Sequence, residues 1–185
     1  KFNPYTKRRN IKDQMDKLKQ EITRDIGVEI DRSILLMTCK FIETTLRTNF
    51  YKSNKTSIAF MYDPAFLNPV DYPEIPFGIF HVISAEGRGF HIRFRDIARG
   101  GIRIVRSRNL QSYYNNSDFI FDENYNLALT QQKKNKDISE GGSKGTILLR
   151  WGYQDRTEAA FNKYIDGLLD LLLPDEKVVD YYGDE

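Results

Sequence analysis

Three short stretches of this chain combine arginine or lysine with glycine or with the end of a predicted helix. They are "RDIARGGIRIVRSR" with Arg99, "QQKKNK" with Lys133 and Lys134, and "EGGSKG" with Lys144. Arginine binds carboxylates through two parallel hydrogen bonds, and an ammonium group set among other cations gives up its proton more readily. The three stretches therefore predict a site that binds two anionic groups and carries one lysine able to take a proton near neutral pH.

The glycines around Lys144 also allow simpler interpretations. A phosphate-binding loop of the GxxxxGK[ST] type needs its lysine directly after the second key glycine, and "GGSKGT" does not meet that spacing. A GxGxxG turn for a dinucleotide is missing as well, since "EGRGFHI" supplies only two of the glycines and lies inside a predicted hairpin. A plain turn into the strand "TILL" is the structural alternative for these glycines.

The composition is that of a globular chain with an uneven distribution of charge. The 185 residues are 40% hydrophobic with a net charge of +2, yet residues 86–108 contain seven arginines and residues 154–185 contain nine acidic groups. A single cysteine, Cys39, excludes an internal disulfide, and two histidines without clustered carboxylates or thiols give no basis for a metal site. No apolar stretch has the length of a membrane-spanning helix. We expect neither a metal site nor membrane association.

Hydrophobic periodicity predicts the elements that position the cationic stretches. Helices are predicted at residues 11–26, 30–46, 124–136 and 156–173. The predicted strands are a hairpin of "IFHVIS" and "RGFHIRFRD" and a further strand at 145–151. The apolar face of the second helix is predicted to consist of Ile30, Ile34, Met37 and Phe41. The pattern favours an α/β fold with a mixed central sheet flanked by helices.

The same pattern predicts how the chain is organised. We expect one domain over residues 1–185, with two N-terminal helices in 1–51 and the sheet and helices that carry the site in 57–185. The proline-rich segment 64–78 is predicted to be an irregular loop, because proline is unfavourable inside helices and sheets. No dinucleotide-binding domain is expected within this chain.

Three longer segments resemble the large-subunit NAD-dependent glutamate dehydrogenases, and the fungal and protist type is the most similar. They are "GFHIRFRDIARGGIRIVRSRN", "FDENYNLALTQQKKNKDISEGGSKGTILL" and "LLPDEKVVDYYG", so the resemblance covers about residues 78–183. It implies the substrate-binding domain of an enzyme that deaminates L-glutamate oxidatively to 2-oxoglutarate and ammonia. It also implies NAD as the cofactor, held by a dinucleotide-binding domain outside this chain, so that the chain alone is expected to be inactive.

The resemblance assigns the reacting end of the substrate to two lysines. Lys144 falls on the catalytic lysine, which activates water and passes protons at the α-carbon as the imine forms and breaks. Lys134, which precedes Asn135 and stands ten residues before Lys144, matches the lysine that holds the α-carboxylate. Lys133 is the alternative one residue away. A catalytic aspartate is expected just beyond residue 185.

The resemblance assigns the distal carboxylate of the substrate to Arg99, which is followed by Gly100 and Gly101. Gly142 belongs to the glycine-rich segment before the catalytic lysine and completes the predicted substrate-binding set. Two departures from the small-subunit relatives concern this region, since many of them have lysine in place of Arg99 and proline in place of Ser139.

The resemblance further implies a homo-oligomer and an intracellular location, in the cytoplasm or the mitochondrion. Two other functions stay open at this point. The arginines of residues 86–108, interleaved with Phe90 and Phe94, also fit a nucleic-acid- or anion-binding module, although a pI near 8.5 and an acidic C-terminal third are weak for such a protein. A non-catalytic regulatory remnant of the dehydrogenase fold is the other alternative, and an intact set of Arg99, Lys134 and Lys144 argues against it.

Overall fold

A computed structural model describes residues 1–5, 11–134 and 136–181. Asn135 of the second resembling segment and residues 182–183 of the third lie outside the described residues. Within these ranges the helices are α1 (Lys12–Asp25), α2 (Glu29–Thr44), α3 (Leu110–Gln132) and α4 (Thr157–Leu172). The strands are β1 (Thr45–Thr48), β2 (Ile58–Tyr62), β3 (Gly78–Ile83), β4 (Gly87–Arg93), β5 (Ala98–Arg99), β6 (Ile102–Val105), β7 (Gly141–Leu149) and β8 (Val179–Asp180). Across the described ranges, no helix has both the length and the apolar character needed to cross a membrane.

The strands form one mixed sheet in the order β5-β7-β4-β3-β2-β1-β8, and β6 also pairs with β7. The predicted hairpin is confirmed as β3 and β4, which pair antiparallel. β4 also pairs antiparallel with β7, whereas β5 and β6 run parallel to β7 on its other side. The expected mixed sheet flanked by helices is therefore confirmed, with β7 bordered by strands on both sides.

Different helices cover the two faces of the sheet. On one face, α4 packs Tyr164 against Phe80 and Ile147 in a continuous apolar cluster. On the opposite face, α3 packs Tyr125 against Ile92. Both sides of the central strands are therefore removed from water, and burial of these large side chains is the main stabilising contribution to the fold.

The two N-terminal helices pack against each other as a hairpin. Met15 and Ile22 of α1 are buried against Cys39 of α2, as the spacing of apolar residues in α1 predicts. The prediction for α2 is wrong at three positions, whose exposed fractions are 71% for Ile30, 58% for Ile34 and 61% for Met37. The reason is that α2 has a second apolar stripe along Leu36, Cys39 and Ile42, and this stripe faces α1.

Three predicted boundaries also differ from the structure. The helix predicted at 124–136 begins already at Leu110, after Asn109 accepts a hydrogen bond from the Ser112 N–H as a helix cap, and it ends at Gln132. The strand predicted at 145–151 begins at Gly141, because the glycines pair with neighbouring strands instead of forming a loop. The segment 1–51 also contributes strand β1 to the sheet.

Two histidines are half-buried on neighbouring strands of the sheet. Burial, together with the nearby Arg88, lowers the pKa of His81 from 6.5 to about 4. Burial, together with Arg93, lowers the pKa of His91 to the same value of about 4. Because the unfolded chain keeps the ordinary histidine pKa, it binds more protons than the folded chain between these two values.

We therefore expect the stability contribution of these histidines to be complete above pH 6.5 and to be lost as the pH falls toward 4. Each unit of pKa difference corresponds to about 1.4 kcal/mol. Denaturant unfolding of the native chain and of His81→Asn over this pH window tests the expectation. The variant should lose less of its free energy of unfolding, and equal slopes for the two proteins would show that His81 does not titrate as described.

Candidate active site

The first and third cationic stretches lie side by side at the start of β7. β5 runs parallel to β7 there, with Arg99 opposite Gly142. The Gly145 N–H donates a hydrogen bond to the carbonyl oxygen of Gly101 over 3.1 Å. The structure thus brings together the "ARGG" turn and the "GGSKG" segment, which are separated by the whole of α3 in the sequence.

Two of the glycines permit backbone contacts that no side chain would allow. A Cβ atom at Gly100 would lie 1.6 Å from the carbonyl oxygen of Ser143, and one at Gly142 would lie 2.1 Å from the backbone nitrogen of Gln132. The Gly142 N–H also donates to the side-chain oxygen of Gln132 over 2.7 Å. The end of α3 therefore rests directly on β7, and this contact brings the second cationic stretch to the same part of the sheet.

Lys144 lies two residues beyond Gly142 on β7 and is half-buried. Since side chains alternate along a strand, it projects from the same face of the sheet as Gly142, the face that α3 covers. Its Nζ lies 3.9 Å from the place that a Cβ atom on Gly101 would take. Among the described residues, no side chain forms an ion pair or hydrogen bond with this ammonium group. A half-buried ammonium group without an ion-pair partner among the described residues can bind an anionic ligand or transfer a proton.

Two fully buried polar side chains, Asn124 and Thr146, lie close to this part of β7. Asn124 stands one helical turn before Ala128, whose carbonyl oxygen would be 2.5 Å from a Cβ atom on Gly142. Both side-chain atoms of Asn124 and the hydroxyl of Thr146 lack hydrogen-bond partners in the described part of the chain. These residues were not among the predicted site residues; the available signal was an asparagine on the buried face of a helix.

The two lysines that follow α3 differ in their contacts. The Nζ of Lys133 is 3.2 Å from a carboxylate oxygen of Glu74, in the proline-rich loop. Lys134 is exposed, and no ion pair joins it to another described residue. Of the two alternatives, Lys134 is thus the one whose charge is not already matched by an acidic side chain in the described ranges.

Arg99 has an acidic neighbour that was not predicted. Its Nε lies 2.7 Å from Oε1 of Glu140, and the exposed fractions are 71% for the Arg99 side chain and 12% for that of Glu140. The Nζ of Lys136 is 3.9 Å from the same oxygen and donates a hydrogen bond to the carbonyl of Gly141 over 3.2 Å. In the sequence, the feature that could have indicated this contact was the acidic residue directly before "GGSKG".

The other arginines of residues 86–108 are largely engaged within the chain. Internal hydrogen bonds or ion pairs join Arg88 to Ser117, Arg93 to Asp96, Arg95 to Ser139, Arg103 to Glu123 and Arg106 to Thr157. Such separate, internally bonded arginines do not form the continuous basic surface that binds nucleic-acid phosphates. In the described ranges, no three His, Cys, Asp or Glu side chains are grouped so that they could hold a metal ion.

Comparison with known proteins gives the same family for most of the chain. Residues 17–180 match the family described as "Bacterial NAD-glutamate dehydrogenase, catalytic domain". The chain is 55% identical over 162 residues to "Glutamate dehydrogenase 2" of Dictyostelium discoideum, which covers 88% of this chain and 16% of that protein. It is 50% identical over 175 residues to "NAD-specific glutamate dehydrogenase" of Neurospora crassa, which covers 91% of this chain and 17% of that protein. The chain therefore spans about a sixth of the length of these curated relatives.

Proposed function

Because the chain belongs to the family of NAD-glutamate dehydrogenase catalytic domains, we propose that it is the substrate-binding part of an NAD-dependent glutamate dehydrogenase. The longer enzyme deaminates L-glutamate oxidatively to 2-oxoglutarate and ammonia. The observation that carries the proposal is the arrangement around the first half of β7, where the stretches with Arg99, Lys134 and Lys144 come together.

The two carboxylates of glutamate provide natural ligands for this arrangement. In the proposed complex, Arg99 binds the distal carboxylate and Lys134 binds the α-carboxylate, so that the substrate lies along the start of β7 with its α-carbon near Lys144. Charge-assisted hydrogen bonds of this kind give both affinity and orientation. The glycine pair Gly100 and Gly101 keeps side chains away from the place where the substrate binds.

Lys144 moves the protons of the reaction. In its neutral form it takes a proton from the water molecule that attacks the imine carbon of the substrate, and it then passes this proton to the departing amine. No carboxylate of the described residues pairs with the Lys144 amino group, which supports this role because the group is not held in an ion pair and can contact the reacting water.

When bound in the longer enzyme, NAD would supply the acceptor for the hydride of the substrate α-carbon. The chain has no GxGxxG turn, so its residues do not fit the pyrophosphate of the cofactor, and a dinucleotide-binding domain outside these 185 residues holds it. That domain, a catalytic aspartate beyond residue 185 and the assembly of identical subunits are parts of the same proposal. The chain alone is expected to be inactive, because it cannot position the nicotinamide against the α-carbon.

The carboxylate assignments predict specific losses of substrate binding. In the longer enzyme, Arg99→Ala and Lys134→Ala should each raise KM for glutamate by an amount equivalent to roughly 1.5–3 kcal/mol, the usual effect of losing a charge-assisted hydrogen bond. The value of kcat should change less, because these groups do not take part in proton transfer. Steady-state rates of NADH formation at varied glutamate concentration measure both quantities.

Lys133→Ala is the matched control for the lysine assignment. It removes an adjacent charge that already pairs with Glu74, so KM for glutamate should stay within about twofold of the native value. If Lys133→Ala raised KM and Lys134→Ala did not, the α-carboxylate would belong to Lys133. Unchanged KM values in Arg99→Ala, Lys134→Ala and Lys133→Ala would contradict the proposed substrate site.

A further inference from the structure

Glu140 lies at the entrance to β7 as a largely buried acid between two cations. Its Oε1 is 2.7 Å from Nε of Arg99 and 3.9 Å from Nζ of Lys136. Lys136 is itself only 11% exposed, whereas the side chain of Arg99 is 71% exposed. The acid thus contacts the exposed guanidinium from its protein side, while the second cation is held below the surface.

The contact involves one particular atom of the guanidinium group. The closest approach is to Nε, which is the nitrogen nearest the main chain. It is an ion-pair contact without hydrogen-bond geometry, because the buried Oε1 of Glu140 has no hydrogen-bond partner among the described residues. Neither Nη1 nor Nη2 pairs with another described residue. A carboxylate binds guanidinium through two parallel hydrogen bonds along one edge of its plane. With Nε next to Glu140, the edge formed by the two terminal nitrogens remains available for such a ligand.

We propose that Glu140 is a positioning residue that orients Arg99 toward the distal carboxylate of the substrate and so sets the preference for dicarboxylates. The inference rests on the proposed function, because it assumes that Arg99 binds this carboxylate. A long arginine side chain on the surface has many rotamers, and attraction of Nε to the buried carboxylate of Glu140 favours a subset of them before the substrate arrives.

The charge balance of the cluster supports positioning rather than competition with the substrate. Glu140 carries one negative charge, while Arg99 and Lys136 carry two positive charges, so the cluster keeps a net positive charge for an anionic ligand. Lys136 is held in place by the carbonyl of Gly141 and offsets the acid from the buried side. Glu140 therefore does not neutralise the cluster, and Arg99 can still attract an anionic ligand.

The test uses the longer enzyme and two oxoacids of equal chain length in the direction of reductive amination. 2-Oxoglutarate has the distal carboxylate, and 2-oxopentanoate lacks it. Glu140→Gln keeps the shape of the side chain but removes its charge. It should raise KM for 2-oxoglutarate by roughly fivefold to twentyfold. The value of kcat, KM for ammonium and kcat/KM for 2-oxopentanoate should each change by less than about twofold.

A second comparison separates positioning from a general structural role. In an Arg99→Ala background, Glu140→Gln should have no further effect on KM for 2-oxoglutarate, because the group that it orients is gone. An equal effect of Glu140→Gln in both backgrounds, or parallel losses with both oxoacids, would overturn the inference in favour of a structural role. A decrease in KM for 2-oxoglutarate would overturn it in favour of competition between Glu140 and the substrate.

Glu140→Asp keeps the inference testable if Glu140→Gln does not fold. Aspartate retains the charge but is one methylene shorter, so it should raise KM for 2-oxoglutarate less than Glu140→Gln does and leave kcat/KM for 2-oxopentanoate within about twofold.

The single variant Arg99→Ala distinguishes failure of the proposed function from failure of the inference about Glu140. If it leaves KM for 2-oxoglutarate unchanged, the assignment of Arg99 in the proposed function fails. If it raises KM while neither Glu140 variant does, only the role of Glu140 fails.

Discussion

Replacement of Lys144 by alanine is expected to lower kcat of the longer enzyme by roughly 10²- to 10⁴-fold, the usual contribution of a positioned acid–base group. The lysine is half-buried on β7 beside Gly101 and has no ion pair with another described residue. In the proposed mechanism, its removal deletes the group that takes the proton from water and leaves the proposed carboxylate contacts of Arg99 and Lys134 in place. Turnover of glutamate with NAD at saturating concentrations measures the loss, and circular dichroism checks that the variant is folded.

Lys144→Arg separates proton transfer from charge. Arginine keeps the positive charge at this position but does not release its proton at any pH at which the enzyme is stable. If Lys144 transfers protons, Lys144→Arg should be about as inactive as Lys144→Ala. Recovery of most of the activity by arginine would mean that the position supplies only a positive charge. Near-native turnover of Lys144→Ala would exclude both roles.

Gly142→Ala is expected to destabilise the chain by about 3 kcal/mol or more, at the upper end of the usual range for overpacking. The new Cβ atom would lie 2.1 Å from the backbone nitrogen of Gln132 and 2.5 Å from the carbonyl oxygen of Ala128. Both are main-chain atoms of α3, so no side-chain rotation relieves the contact. Either α3 moves away from β7 or the strand is displaced, and each change removes buried apolar surface.

Gly101→Ala is the matched control, because it adds the same methyl group in the same region. The nearest atom to that methyl group would be Nζ of Lys144 at 3.9 Å, an ordinary van der Waals distance. The free energy of unfolding should therefore change by less than about 1 kcal/mol. Denaturant unfolding of the two variants measures the difference. Equal stability of Gly142→Ala and Gly101→Ala would show that α3 does not rest on β7 as closely as described.

The sequence by itself determined the features that depend on neighbouring residues. The alternation in "GFHIRFR" predicted the hairpin of β3 and β4, and the apolar spacing in α1 predicted the burial of Met15 and Ile22. These predictions succeed because the periodicity of apolar residues in a strand or a helix depends only on the residues of that one segment. The motif segments likewise predicted the family, which the comparisons support over residues 17–180.

Only the tertiary structure decided which side chains meet across the sheet and which of the described lysines have no acidic partner within the described ranges. Glu74 reaches Lys133 from the proline-rich loop, and Glu140 reaches Arg99 from the start of β7. Likewise, α2 has two apolar stripes, and only the packing of α1 decides which of them is buried. These contacts join residues far apart in the sequence, so they depend on strand order, register and helix docking. A local pattern does not contain that information, because it records the preferences of one segment and not the surface against which the segment packs.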